Sequence, residues 1–254
     1  SLYYEVNVKG AENVCGVAEE FGIRKIVFTS TVAVYGFTEK ETDEGGELRP
    51  FNDYGRSKLE AEKVYRSWQE ASKDRSLTIV RPTVIFGEGN RGNVYNLLKQ
   101  IKSGRFLMIG NGKNVKSMAY VENVAALLEF ALHLGPGFHL LNAVDKPDFD
   151  VNTLVSFIRN ELGRPNNSFV PRLPYSIGYV GGLFFDLLGK LLRKNFSVSR
   201  IRIKKFCSNT QFVSSRIKET GFIPPFTLEE GLRKTIHHEF FGTPEKEEEV
   251  FYTE

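Results

Sequence analysis

Lys25-Ile26-Val27-Phe28-Thr29-Ser30-Thr31-Val32-Ala33-Val34-Tyr35-Gly36 reads as a short apolar strand that ends in hydroxyl side chains. Its β-branched residues, with no polar alternation, mark Lys25 to Thr29 as a strand buried on both faces, the kind found in parallel sheets. Upstream, Val6 to Phe21 places Val14, Val17, Ala18 and Phe21 in a helical stripe that Gly22 ends. Downstream, Glu39 to Phe51 is a polar loop with Gly45, Gly46 and Pro50. A helix follows from near Asp53 to about Ser72, with Ala61, Val64, Tyr65 and Trp68 on one face, then a strand from Leu77 to Val80 that Pro82 stops, then a glycine-rich loop from Gly87 to Gly92.

The alternation continues with longer spacing. Val94 to Ile101 reads as helix, Phe106 to Ile109 as strand, Asn123 to Leu134 as an apolar helix and Phe138 to Asn142 as strand. Asp150 caps a helix reaching Leu162. Ser168 to Arg172, a hydrophobic helix from Tyr175 to about Leu192, and Ser199 to Phe206 come next. Thr227 and Glu230 form a capping box for a last helix that reaches Phe241. Strand-helix-strand alternation predicts an α/β fold built on a parallel sheet.

Bulk properties narrow the function. A chain of 254 residues with 41% hydrophobic and 26% charged residues reads as soluble and globular. A net charge of +3, from 34 basic and 31 acidic residues, is too balanced to point to nucleic acid. Cys15 and Cys207 make neither a disulfide framework nor a metal site, so a reducing cytoplasm is the expected compartment. His133, His139, His237 and His238 have no metal-ligand spacing, so no metal is expected. The apolar stretch Ile177 to Phe185 is far too short to span a bilayer and is expected to be a buried helix rather than a membrane contact.

The chemistry concentrates at Tyr54 and Lys58, four residues apart on one helix face. A nearby ammonium favours the phenolate, so Lys58 is expected to lower the pKa of Tyr54 and let it exchange a proton near neutral pH. Thr31, delivered from the end of the first strand, could hold a substrate oxygen while the proton moves. Spacing alone is weak evidence, because Tyr95 and Lys99 repeat it inside an apolar helix. Only Tyr54 lies between a strand ending in Ser-Thr and one ending in Arg81-Pro82.

With these motifs the chain resembles the extended short-chain dehydrogenase/reductase family, in particular its nucleotide-sugar epimerases and dehydratases. The resemblance rests on Asn7-Val8-Lys9-Gly10-Ala11, Lys25 to Thr31, Val34-Tyr35-Gly36, Pro50 through Tyr54-Gly55-Arg56-Ser57-Lys58, Arg81-Pro82 and Phe86-Gly87. Tyr120 to Ala125, Gly221-Phe222 and Thr227 to Leu232 extend it over nearly all of the chain. It implies a Rossmann-like sheet with a smaller α/β substrate-binding region. Residues 1–90 would be the rest of the dinucleotide-binding domain and 91–254 mainly the substrate region, with 120–143 returning to the sheet. The resemblance makes Tyr54 the acid/base, Lys58 the ribose ligand and Thr31 the third catalytic group. Thr29, Ser30, Val80, Pro82 and Val84 would line the NAD site, with NADP also open. Arg81, Asn93, Lys116 and Arg200 would face a nucleotide sugar. A homodimer through the helices at Val6 to Phe21 and Tyr54 to Ser72 is also implied.

Three departures qualify this. No G-x-x-G-x-x-G turn occurs in the chain, and the match begins at the helix after the family's fourth strand. On that reading the chain would be a fragment or truncated product, with Lys25 to Thr29 left as a sheet edge. Dehydratases carry Asp-Glu directly after the catalytic threonine, where this chain has Val32 and Ala33, which disfavours dehydration. Where the family often has Arg-Asp, this chain has Lys116-Ser117. The expected activity is therefore NAD-dependent epimerisation of a nucleotide sugar. A reductase resembling 3β-hydroxysteroid dehydrogenases and a non-catalytic fragment are the alternatives.

Overall fold

Every residue of Ser76–Pro82 is buried, as the middle strand of a parallel sheet requires. The computed structural model describes residues 1–38, 40–164, 170–192 and 199–242. In chain order the elements begin with α1 (Leu2–Tyr4), a π-helical segment Glu5–Lys9, α2 (Gly10–Glu20), β1 (Lys25–Thr29) and a 3₁₀ turn Val32–Val34. Next come α3 (Asp53–Glu70), β2 (Ser76–Pro82), β3 (Val84–Phe86), α4 (Asn93–Ser103), β4 (Met108–Ile109), β5 (Val115–Tyr120) and α5 (Val121–Ala131). The remainder are β6 (Gly137–Ala143), β7 (Asp145–Asp150), α6 (Val151–Glu161), β8 (Arg172–Leu173), α7 (Tyr175–Leu192), α8 (Arg200–Cys207), α9 (Ser215–Thr220) and α10 (Leu228–Phe241).

The first compact unit comprises Ser1–Gly87, Ser117–Pro147 and Gln211–Gly231. Its main sheet has the order β1-β2-β6, all parallel, with Ile26 beside Leu77 and Ile79 beside Leu140. Apolar residues from α2, α3 and this sheet form one cluster, including Ala11, Cys15, Ala18, Ala61, Tyr65, Trp68, Leu77 and Ile79. Val80, Leu141 and Ala143 pack with Val124 and Leu127 of α5 in a separate cluster. Helices on both faces of a parallel sheet make this the expected Rossmann-like arrangement. β3 pairs in parallel with β5 in a second sheet that also contains β7.

Two expectations fail in the helices. In α2 the small residues Ala11, Cys15 and Ala18 face the core, while Val14, Val17 and Phe21 are exposed. Close contact with α3 selects small side chains and turns the large ones outward. Ile177 to Phe185 is not a buried helix either, because Ile177, Val180 and Phe184 of α7 are exposed. Strands β5 and β7 and the short helix α9 were not anticipated, and the expected strand at Ser168 to Arg172 falls partly outside the described residues. The Asp150 cap is present, with its Oδ1 accepting from Thr153 N at 2.7 Å. So is the Thr227–Glu230 box, at 2.8 and 3.2 Å.

The second compact unit contains β4 and β8, paired in parallel, together with α4, α6, α7 and α8. Leu98 and Ile101 of α4 and Val155 and Ile158 of α6 are buried there.

Candidate active site

The start of α3 is held by several specific contacts. Asn52 caps it, accepting from Gly55 N at 2.9 Å. A Cβ at Gly55 would lie 2.8 Å from the Ala33 carbonyl oxygen, so only glycine lets the helix approach the turn after β1. Ser57 donates to the Tyr54 carbonyl at 2.9 Å and accepts from Asn7 Nδ2 at 2.9 Å. These contacts set the rotation of the helix that carries Tyr54 and Lys58.

Thr31 sits between β1 and the Val32–Val34 turn, and its Oγ1 accepts from Ala33 N at 3.1 Å. Its hydroxyl stands close enough to the Tyr54 phenol to oppose the rise in the phenol's pKa. The phenol of Tyr54 and the hydroxyl of Thr31 are neighbours. Lys58 Nζ donates to the Thr29 carbonyl at 3.0 Å and lies 4.9 Å from the Phe28 ring centre.

The electrostatics correct one expectation. Burial pushes the Tyr54 phenol above its ordinary value, and the opposing influence is the Thr31 hydroxyl, not the Lys58 charge. Lys58 is itself pulled below its ordinary value by burial, with the Glu62 carboxylate opposing.

Ser30 and Arg81 are committed elsewhere. The Ser30 hydroxyl donates to Glu62 Oε1 at 2.5 Å, and both side chains are buried. Arg81 gives Nε and Nη2 to Glu62 at 2.9 and 2.5 Å and Nη1 to the Tyr35 hydroxyl at 2.8 Å. Arg81, expected to face the substrate, is thus buried and bonded to Glu62 and Tyr35. Ser30, expected to line the cofactor, likewise has its hydroxyl on Glu62. The network continues from the Tyr35 hydroxyl to Asn142 Oδ1 at 2.9 Å, and Asn142 N donates to Glu44 at 2.9 Å. Glu44 also accepts from the hydroxyls of Ser214 and Ser215. Sequence reasoning missed Glu62 and Glu44. Glu62 was findable as a carboxylate beside Ala61 on an otherwise apolar helix face, whereas Glu44 looked like an ordinary loop acid.

Among the other expected cofactor-lining positions, Val80 and Pro82 are buried within β2, Thr29 is exposed, and Val84 is 43% exposed. Lys116, expected to face a substrate phosphate, has its ammonium on backbone carbonyls. It donates to the carbonyls of Lys205 and Ser208 at 2.8 and 2.6 Å, at the C-terminal end of α8, and burial pulls it down to about 8. Asn93 is exposed in the first turn of α4, where Gly92 takes the cap position. Arg200 is exposed at the start of α8, and its backbone N donates to Asp186 at 3.2 Å.

A sequence profile of the NAD dependent epimerase/dehydratase family matches residues 1–142, which hold Thr31, Tyr54 and Lys58. The chain belongs to this family. A relative from Escherichia coli O157:H7, N-acetyl-α-D-glucosaminyl-diphospho-ditrans,octacis-undecaprenol 4-epimerase, is 49% identical over 94% of this chain and 72% of its own length. A 3β-hydroxysteroid-dehydrogenase/decarboxylase from Arabidopsis thaliana is 30% identical over 92% of this chain and 57% of its own. The fold matches UDP-glucose 4-epimerase from Thermotoga maritima, solved with UDP-glucose, at a TM-score of 0.68 and 19% identity, covering 93% of this chain and 70% of that one.

The family's NAD fits the donor set present at its nicotinamide end. A phenol, a hydroxyl and an ammonium gather where β1 ends and α3 begins, beyond the carboxyl ends of parallel strands, where ligands of open α/β sheets bind.

Proposed function

We propose that this protein is an NAD-dependent 4-epimerase of a sugar held through a diphosphate, and that the sugar's carrier is a polyprenol rather than a nucleoside. The observation that carries the epimerase reading is the nearness of the Thr31 hydroxyl to the Tyr54 phenol, with Lys58 on the same helix. When bound, the nicotinamide supplies reversible hydride acceptance at the carbinol carbon. Tyr54 removes the proton from the sugar's 4-hydroxyl and later returns it to the 4-oxygen. Thr31 donates to the phenolate and holds its charge in a half-buried site. Lys58, anchored on the Thr29 carbonyl, holds the nicotinamide ribose.

Dehydration would need a further acid/base pair, and Val32 and Ala33 occupy the positions where one would stand. The polyprenol carrier is supported by the 49% identity to the Escherichia coli relative, against 30% for the sterol enzyme. A homodimer in the cytoplasm belongs to the same reading. It is supported by the outward-facing Val14, Val17 and Phe21 of α2 and by the free thiols of Cys15 and Cys207.

The test is incubation of the full-length protein and NAD with N-acetylglucosaminyl-diphospho-undecaprenol or, separately, with UDP-N-acetylglucosamine, followed by acid release and separation of the sugars. Galactosamine from the lipid-linked substrate is expected. Conversion of UDP-N-acetylglucosamine alone would return the carrier to a nucleotide, and conversion of neither would remove the epimerase.

A further inference from the structure

Helix α7 presents two unlike faces. On one, Gly178 lets β4 come close and Gly182 lets α8 come close. A Cβ on Gly178 would lie 2.9 Å from the Ile109 side chain, and one on Gly182 would lie 2.8 Å from the Arg200 backbone. The opposite face carries Ile177, Val180, Phe184 and Leu187, at i, i+3, i+7 and i+10, one strip along the helix. They are 56%, 64%, 61% and 60% exposed. Four large apolar side chains in a row are more than scattered surface hydrophobics. Ile201 of α8 adds a fifth, 46% exposed.

The charge beside this strip is one-sided. Along α8, Arg200–Cys207, the sequence has four lysines and arginines and no aspartate or glutamate. Arg200, Arg202, Lys204 and Lys205 of α8 are exposed. An apolar strip flanked by basic residues is the pattern of a helix lying in the plane of an anionic bilayer interface. Among the described residues no helix is long and apolar enough to cross a membrane, which fits lying on a bilayer and not spanning it.

We infer that the outward face of α7, with the basic residues of α8, docks on the surface of an anionic lipid bilayer. The inference deepens the polyprenol reading and rests on it, because a polyprenyl chain stays in the membrane and its diphosphate lies at headgroup level. An enzyme seated there meets the sugar without extracting the lipid.

The test is flotation of the full-length protein with vesicles of phosphatidylethanolamine and phosphatidylglycerol, and with phosphatidylcholine alone. The protein should float with the anionic vesicles, less at high salt, and not with phosphatidylcholine. Val180→Asp with Phe184→Asp should cut the bound fraction about tenfold or more, as loss of two inserted apolar side chains requires. Circular dichroism and turnover of detergent-dispersed lipid-linked sugar should stay unchanged. No flotation of the wild type, salt-insensitive flotation, or flotation indifferent to the double substitution would overturn the proposal. So would a double variant that changes oligomeric state in sedimentation, which would assign the strip to a second copy of this chain. Flotation is read without substrate. Vesicle binding without epimerisation would therefore sink the proposed activity and leave this surface standing, and epimerisation without binding would do the reverse.

Discussion

The carboxylate of Glu62 grips the guanidinium of Arg81 at two points in the interior, Oε2 to Nη2 at 2.5 Å and Oε1 to Nε at 2.9 Å. One partner comes from the helix that carries Tyr54 and Lys58, the other from the central strand. The pair therefore pins that helix to the sheet. Breaking it by Glu62→Gln leaves Arg81 buried without its counter-charge, at a cost of about 3–5 kcal/mol. Urea denaturation should show that loss, and Glu62→Leu combined with Arg81→Met should recover most of it. A single variant as stable as wild type would mean the pair anchors nothing.

Tyr54→Phe removes the phenol proposed to move the proton and keeps the ring that packs 5.8 Å from Tyr3. Epimerase turnover should fall about 10²–10⁴-fold, with an unchanged circular dichroism spectrum. Turnover within a few-fold of wild type would take the acid/base role away from Tyr54.

Thr31→Val tests the electrostatic part separately. The Thr31 hydroxyl lowers the Tyr54 pKa against the upward push of burial. Removing it takes stabilisation from the phenolate, so the pKa rises and the ascending limb of the pH–rate profile moves to higher pH. A limb that stays in place while the rate drops would make Thr31 a substrate contact only.

Lys116 offers a prediction about stability and pH. Its ordinary value is 10.5 and the folded protein holds it near about 8, so between these the unfolded chain binds more protons. Stability from this group therefore rises as pH climbs through that window, and falls as pH drops back through the folded value. Comparing Tm across the window, wild type should gain relative to Lys116→Met as pH rises. Parallel curves would contradict the buried ammonium.

Gly55→Ala places a methyl 2.8 Å from the Ala33 carbonyl oxygen, in a helix held by its cap. The expected cost is about 1–3 kcal/mol of stability, with reduced turnover because Thr31 and Tyr54 are pushed apart. Unchanged thermal unfolding and kinetics would show that the approach is looser than it looks.

Local patterning determined much of this protein. The strand Lys25 to Thr29, the helix from Asp53 and the Asp150 and Thr227 caps were legible because β-branched runs and capping are written in neighbouring residues, though of that strand only Ile26 is buried. The same kind of local signal, i, i+4 geometry and a strand end, is what singles out Tyr54, Lys58 and Thr31 as candidates. β7 was not, since Asp145-Lys146-Pro147-Asp148-Phe149-Asp150 has poor strand propensity and forms a strand only within a sheet with β3 and β5. The roles of Arg81, Ser30 and Lys116 were decided by tertiary structure alone. A charged or hydroxyl side chain looks the same in sequence whether its partner is a ligand or a carboxylate brought in from another element. The same holds for α7, whose glycines and large apolar residues specify a helix, while only packing against α8 chose which face to cover and which to leave outward.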